Sequence, residues 1–329
     1  MVTHARAFAD NVAARTQNRV SFELVFPETA ALQSGFHFPW AAQQLAQNKV
    51  QISQIGTGQL SRHSRVLGLF DLPFLFRDHQ HAAAVLDGAL GEEIRKTAAL
   101  QSGKIRPLSF TYSGGFRIVA SKSRIARIGD FANLTASSVR SIEDRAGDDS
   151  DKSLPILRDE SMKSFGVKIA PFQSKMVSES ELFRTGVINV SEDHYGHYTG
   201  IFSREGLIPG TMKFFLETNH SLFLTSIVAN EEFYQSLSPE DRGVLLEEAQ
   251  ALAVKERVDS ILSDQKAKRW LEVSGFGVDV PSPALLAAMK ERSEPTYAQF
   301  KGAFGDLPEK IRAFGGQNDS MKISMSRDR

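Results

Sequence analysis

The chain has 329 residues, 41% hydrophobic and 24% charged, enough for two domains of ordinary size within the soluble globular range. Lysine plus arginine and aspartate plus glutamate both number 39, and this zero net charge excludes a sequence-independent attraction to nucleic acid or an anionic membrane. The lack of cysteine removes disulfides, thiolate metal sites and cysteine nucleophiles, and with no apolar run of ~18 residues no direct membrane insertion is expected.

Residues 4 to 15 place Phe8, Val12 and Ala13 on one helical face. Val20 to Phe26 alternates as a strand that Pro27 ends. A short helix over Phe38 to Gln47, a strand over Val50 to Ile55 and a Gly56-Thr57-Gly58 turn follow. Helix, strand, helix, strand implies parallel pairing and an α/β architecture. The glycine turn lacks the GK[ST] and GxGxxG patterns of phosphate loops.

Leu67 to Phe76, LGLFDLPFLF, is interrupted by Asp71 and Pro73 and reads as a buried, extended loop. It feeds a helix capped at Asp78 that carries Val85, Leu86, Leu90 and Ile94 and stops near Gly103. From Phe110 the pattern predicts strands over Phe116–Ala120, Ser138–Ser141, Val167–Ala170 and Val187–Val190. Short helices are expected between them near Ile128–Leu134, Leu154–Phe165 and Ser178–Arg184. In such sheets ligands sit outside the carboxyl ends of strands. Arg140, the Pro171-Phe172-Gln173 turn and the Ser191-Glu192-Asp193 turn fall at those ends.

Two arginines, Arg117 and Arg140, stand in these strand-like runs, and a guanidinium is costly to bury unless an anion meets it. They could converge on one carboxylate. Each could also cap a helix end or pair with an acidic residue, the more ordinary outcome on the residues alone. Residues 141 to 152, SIEDRAGDDSDK, read as a solvated loop.

Residues 212 to 236 suggest a strand pair, or a strand leading into Ala229-Asn230. Ser238, Pro239 and Asp241 then mark a helix start, and the apolar pattern continues to about Glu272. A helix of that length, roughly 50 Å at 1.5 Å per residue, could brace two domains. Gly275 and Gly277 end it, and Ser282-Pro283 opens a last helix through Phe304. The polar tail, residues 315–329, is expected to be flexible.

Glu192 to His197, EDHYGH, offers carboxylates and two histidines, so a metal-dependent enzyme using Asp193, His194 and His197 is the alternative to weigh. Histidines at i and i+3 need a helix to share a face, and this stretch reads as a strand entering a glycine-containing loop. HExxH and GxSxG are both missing, and His220 reads as a hydrogen-bonded structural histidine. These residues make no catalytic set, so neither an enzyme nor a cofactor is expected.

Several segments, in order along nearly the whole chain, resemble the solute-binding proteins of tripartite ATP-independent periplasmic (TRAP) transporters, dicarboxylate-binding type. FDLPFLFRDHQHAAAVLDGALGEEI is similar to that family's "DLPFLF" loop and "LDG" helix, and GGFRIVASKSRI to its "GfR…nsr" strand. LTASSVRS resembles the "DLkGlKiRv" strand, FRTGVINVSED the "lqtGvvDGqEN" stretch, and FLETNHSLFLTSIVANEEFYQSLSPEDRGVLLEEA the "yltltnH" segment and the helix after it. The resemblance implies a periplasmic-binding-protein-like fold, with two α/β domains joined by crossing strands and a long bridging helix around a ligand cleft. It divides the chain into 1–114 plus 207–248 and 115–206 plus 249–314.

It further implies a periplasmic protein that delivers a small organic acid to TRAP permease membrane subunits. Arg140 falls on the arginine that forks a substrate carboxylate and Arg117 on the one that supports it. Asp193, Gln173 and Phe172 complete the expected ligand set. Asp193 stands where the family has asparagine, and the loop after Arg140 is longer than usual. No signal-peptide pattern opens the chain, which begins inside the family's first helix, so the usual leader and first strand are expected before it; a cytoplasmic, non-transport derivative is the other reading of that start.

Overall fold

The computed structural model describes residues 2–25, 37–138, 157–170, 179–206 and 211–315. The first sheet forms around β8 (Leu222–Asn230), whose run LFLTSIVAN is buried along almost its whole length. Only a central strand covered on both faces tolerates such a sequence. β1 (Ile52–Gly56) and β2 (Ile105–Phe116) pair with it on either side, both antiparallel. The expected parallel pairing of neighbouring strands therefore does not occur here. β1 and β2 do run in the same direction, but β8 inserts between them.

The second sheet has the order β6 (Val190–Asp193), β3 (Ile118–Ser121), β7 (Phe214–Leu216), β9 (Gly277–Asp279). β3 is antiparallel to both neighbours and β7 is parallel to β9. A parallel pair, β4 (Thr135–Ser137) with β5 (Lys168–Ala170), lies beside it. The chain passes directly from strand to strand between the two sheets at two places, from β2 to β3 at Arg117 and from β7 back to β8 through residues 217–221. These crossings are bonded to each other. Arg117 N–H donates to the Ser221 carbonyl at 2.7 Å, and Thr218 Oγ1 donates to the Arg117 carbonyl at 3.4 Å.

Local capping positions the helices. α1 (Val2–Arg15) ends where Gln17 and Asn18 take positive φ values of 54° and 61°, turning the chain back on itself. Residues 20–25 consequently form no strand. Val20 is buried beside Phe8 and Val12, and Phe22 stacks on Phe8. α2 (His37–Ala46) follows the expected pattern.

Residues 65–71 coil into a 3-10 helix rather than an extended loop. Asp78 caps α3 (His79–Asp87) by accepting from His81 N–H. The helix expected to run on to Gly103 breaks at Gly88, and α4 (Ala89–Ser102) completes it. α5 (Leu157–Phe165), α6 (Glu179–Thr185) and α7 (Tyr195–Glu205) pack on the second sheet, and α8 (Glu231–Ser236) follows β8.

α9 (Pro239–Val273) runs 35 residues from a Ser238 cap that accepts from Asp241 N–H. Ser109 and Ser260 hydroxyls tie it to the first sheet through the Ala249 and Gly114 carbonyls, at 2.8 and 2.6 Å. Farther along, Ala267 and Leu271 enter the core of the second sheet. α10 (Pro283–Phe304) also serves both halves, with Leu285 and Met289 in the second core and Phe300 and Phe304 in the first. α11 (Leu307–Ala313) closes the described chain. The result is the two-part α/β architecture with crossing strands and a long bridging helix. None of these helices is long and apolar enough to cross a membrane.

Candidate functional site

The β2–β3 crossing puts Arg117 at the seam between the sheets, with 2% of its surface exposed. Its guanidinium carbon lies 4.6 Å from the centre of the Phe223 ring. Among the described residues no acceptor meets its Nε or its first Nη. A buried guanidinium with unmet donors is unfavourable unless an anion completes it. The ordinary reading, a capping or paired arginine, does not hold for Arg117.

A polar relay supports it from behind. Thr218 Oγ1, bonded to the Arg117 carbonyl, is 2.7 Å from His220 Nδ1. His220 is fully buried, and its Nε2 meets Glu192 Oε2 at 2.5 Å. Arg158, in the first turn of α5, donates from Nε to Glu192 Oε1 at 2.7 Å and from an Nη to the Glu192 carbonyl at 3.0 Å. Burial works against an ionised Glu192, but Arg158 and the His220 hydrogen bond outweigh it and hold the carboxyl well below the usual range. Arg158 is likewise kept charged, its burial overcome by Glu192 and Asp193.

Asp71 comes to the same region from the end of the 3-10 helix over residues 65–71. Burial pushes its carboxyl up, only partly opposed by Arg117 and Arg158. Residue 58 must be glycine for this approach, since a Cβ there would stand 2.1 Å from Asp71 Oδ2. Phe74, three residues on, has an unusual φ of 58°, and its N–H donates to the His220 carbonyl at 2.5 Å. The DLPF segment is thus bonded to the crossing itself.

Asp193 lies opposite Ile118 in the β6–β3 ladder, one residue from Arg117. Burial raises its carboxyl, but the charges of His197, Arg117 and His194 overcome this and hold it at about 2. The Ser191-Glu192-Asp193 segment is strand rather than turn, and EDHYGH does enter a helix, α7, at Tyr195. His194 stands at its N-cap and His197 in its first turn, and each has a ring nitrogen 3.8 to 3.9 Å from an Asp193 carboxylate oxygen. His194 Nδ1 lies 3.2 Å from Asp264 on α9, and His197 Nε2 lies 2.8 Å from Glu179 on α6. Burial disfavours the His197 charge, but Asp193 and Glu179 raise it to about 9. Among the described residues no three His, Asp or Glu side chains are arranged to hold a metal ion.

His194 also sits against the end of β2. Its ring fills the space beside Gly114, where a Cβ would come within 2.2 Å of it. It stacks on Phe223, the ring under Arg117, at 5.9 Å. Asp264 accepts from Gly196 N–H as well, so α9 meets both β2 and the start of α7 here. Gln54, His4 and Glu256 join these residues around a cavity of about 260 Å³ behind the crossing.

Of the residues singled out from sequence, Arg117 and Asp193 come together, and Arg140, Phe172 and Gln173 lie outside the described residues. Arg158, Glu192 and Asp71 form the rest of the cluster; Glu192 belongs to the segment expected at a strand end, while Arg158 and Asp71 were not expected there. Arg158 carried one readable signal: a cation in the first turn of a helix opposes the helix dipole and needs a partner elsewhere.

The family model described as bacterial extracellular solute-binding protein, family 7 (DctP), matches residues 1–141 and 181–303. The 2,3-diketo-L-gulonate-binding periplasmic protein YiaO of Escherichia coli is 24% identical over 251 residues, spanning 75% of this chain and 66% of YiaO. The C4-dicarboxylate-binding protein DctB of Bacillus subtilis is 22% identical over 307 residues, 92% of this chain and 78% of DctB. A TRAP periplasmic solute-binding protein from Chromohalobacter salexigens, solved with bound D-glucuronate, superposes with a TM-score of 0.74 at 19% identity, covering 94% of both chains.

Proposed function

We propose that this chain, which belongs to family 7 of the bacterial extracellular solute-binding proteins, captures a small organic acid by closure of its two halves about the sheet crossings. It works outside the cytoplasm, in the periplasm, and hands its ligand to the membrane permease subunits of a TRAP-type transporter. The observation that carries this is Arg117, a buried guanidinium at the hinge whose Nε and Nη donors meet no acceptor among the described residues. A planar fork of that kind matches a carboxylate and stays charged at any relevant pH. The names of the relatives agree, since they bind a sugar-derived acid and C4-dicarboxylates.

In this reading Arg117 supports the carboxylate, and Arg140 forks it, as the family resemblance implies. Asp193, Gln173 and Phe172 meet the rest of the ligand. Residues 1–114 plus 207–248 form one moving half and 115–206 plus 249–314 the other, with α9 and α10 reaching back across the hinge. Ligand favours the closed state by binding it more tightly than the open one.

Titration calorimetry with a panel of small acids, on the wild type and Arg117→Ala, tests the proposal. The substitution is expected to cost roughly 2–5 kcal/mol of binding, the range for removing one partner of a buried charge pair. Arg140→Ala should fall in the same range. Unchanged affinity in Arg117→Ala would end the assignment.

A further inference from the structure

The family model passes from residue 141 to residue 181 without a match, yet that interval supplies a side chain to the centre of the charged cluster. Arg158, on α5, gives two hydrogen bonds to Glu192. A guanidinium has five N–H donors, so three are left. The side chain keeps 22% of its surface exposed, and Asp71 and Asp193 are close enough to act on its charge. Arg117 differs in one respect. No described carboxylate forms an ion pair with it, whereas Arg158 and Glu192 are paired at 2.7 Å.

We propose that Arg158 is a ligand-contacting specificity residue, contributed by a helix outside the family-matched frame, that selects hydroxy- or oxo-substituted monocarboxylates over dicarboxylates. The inference rests on the reading that the site at Arg117 holds a carboxylate. Its basis is a balance of charge. Glu192 already neutralises Arg158, so the remaining N–H groups suit a neutral hydroxyl or carbonyl oxygen and offer no net attraction to a second carboxylate. Asp71 and Asp193 stand near both arginines, where they can hydrogen-bond to hydroxyls, and the ionised Asp193 repels a second acid. A hydroxylated monocarboxylate satisfies all of these groups, and a dicarboxylate leaves acid facing acid.

The test is calorimetry on the whole protein, cleared of carried-over ligand by unfolding and refolding, with matched acids. One series is D-erythronate, tartrate, succinate and butanoate, and the other is D-gluconate, D-glucuronate and D-glucarate. In at least one series the hydroxylated monocarboxylate should bind tenfold or more tightly than the dicarboxylate of equal chain length. Arg158→Gln combined with Glu192→Gln, which removes both members of that buried pair together, should erase that preference. Arg158→Lys, which keeps the charge but loses the fork, should weaken the hydroxylated acid at least threefold and serves if the double variant does not fold. A dicarboxylate that binds as tightly, or a preference that survives in both variants, overturns the role of Arg158 while the carboxylate reading stands. Arg117→Ala that binds every acid as before, or failure of all seven acids to bind, brings down both.

Discussion

The seam between α1 and α9 and the crossing at Arg117 use arginine in opposite ways. At the seam, Arg15 engages Glu247 and Glu248, and Arg19 engages Asp241 and Glu240, at the water-facing edge of two helices. Each half-exposed guanidinium finds its carboxylates within the protein, Glu247 and Glu240 in solvent and Glu248 and Asp241 buried, so the arrangement is complete. At the crossing, Arg117 is buried, held by its backbone, stacked on Phe223 and unmatched at its donors. The Glu192 carboxylate nearby is already committed to Arg158 and His220. Among the described residues no carboxylate completes Arg117, and the proposed carboxylate site rests on that contrast.

The strongest way to break this contrast is to open the relay. Glu192→Ala leaves Arg158 and His220 without their shared partner and should cost about 3–5 kcal/mol in urea unfolding, as loss of one member of a buried pair does. A cost near that of a surface pair would mean that the crossing is no different from the seam. Arg117→Met probes the reserved charge directly. Without ligand it should melt no lower than the parent, while added organic acid no longer raises its Tm as ligand binding does for the parent. A drop of more than about 3 °C, roughly 1 kcal/mol for domains of this size, would show that Asp71, Glu192 and Asp193 need Arg117 for stability.

The His197 pair gives a smaller effect with a defined pH window. Its folded value of about 9 lies above the ordinary 6.5, so its contribution is complete below pH 6.5 and is lost as pH rises through 9. Asp193, held at about 2 against an ordinary 3.8, contributes above pH 3.8 and loses its share as pH falls through 2. Since a third of the His197 side chain is exposed, screening limits its share to on the order of 1 kcal/mol. Urea midpoints measured between pH 6 and pH 10 should decline, and His197→Gln should flatten that decline. Least of all is expected from the seam: Arg19→Ala should move Tm by no more than about 2 °C.

Features written into neighbouring residues were legible in the sequence. Ser238 with Asp241, Ser282 with Pro283, and Asp78 cap helices where they were expected, because a cap is a contact over three residues. Pairing across distance was not legible. Nothing near β1 or β2 announces that β8 separates them, and the strand expected over Val187–Val190 lies three residues later, with Val187 exposed. Arg117 stood out because it interrupts an apolar run. Arg158 sits among the polar residues of LRDESMKSF, and its role appears only once β6 carries Glu192 to it.

The place of β8 has a consequence for how the chain is made. Its two neighbours, β1 and β2, are complete by residue 116, but the strand that joins them ends at residue 230. A chain synthesised from its N-terminus therefore carries two unpaired strands through more than a hundred further residues, and its central sheet cannot close before then. Such late, long-range closure slows folding. The proposed role outside the cytoplasm requires export, and a sheet that closes this late is compatible with crossing a membrane unfolded.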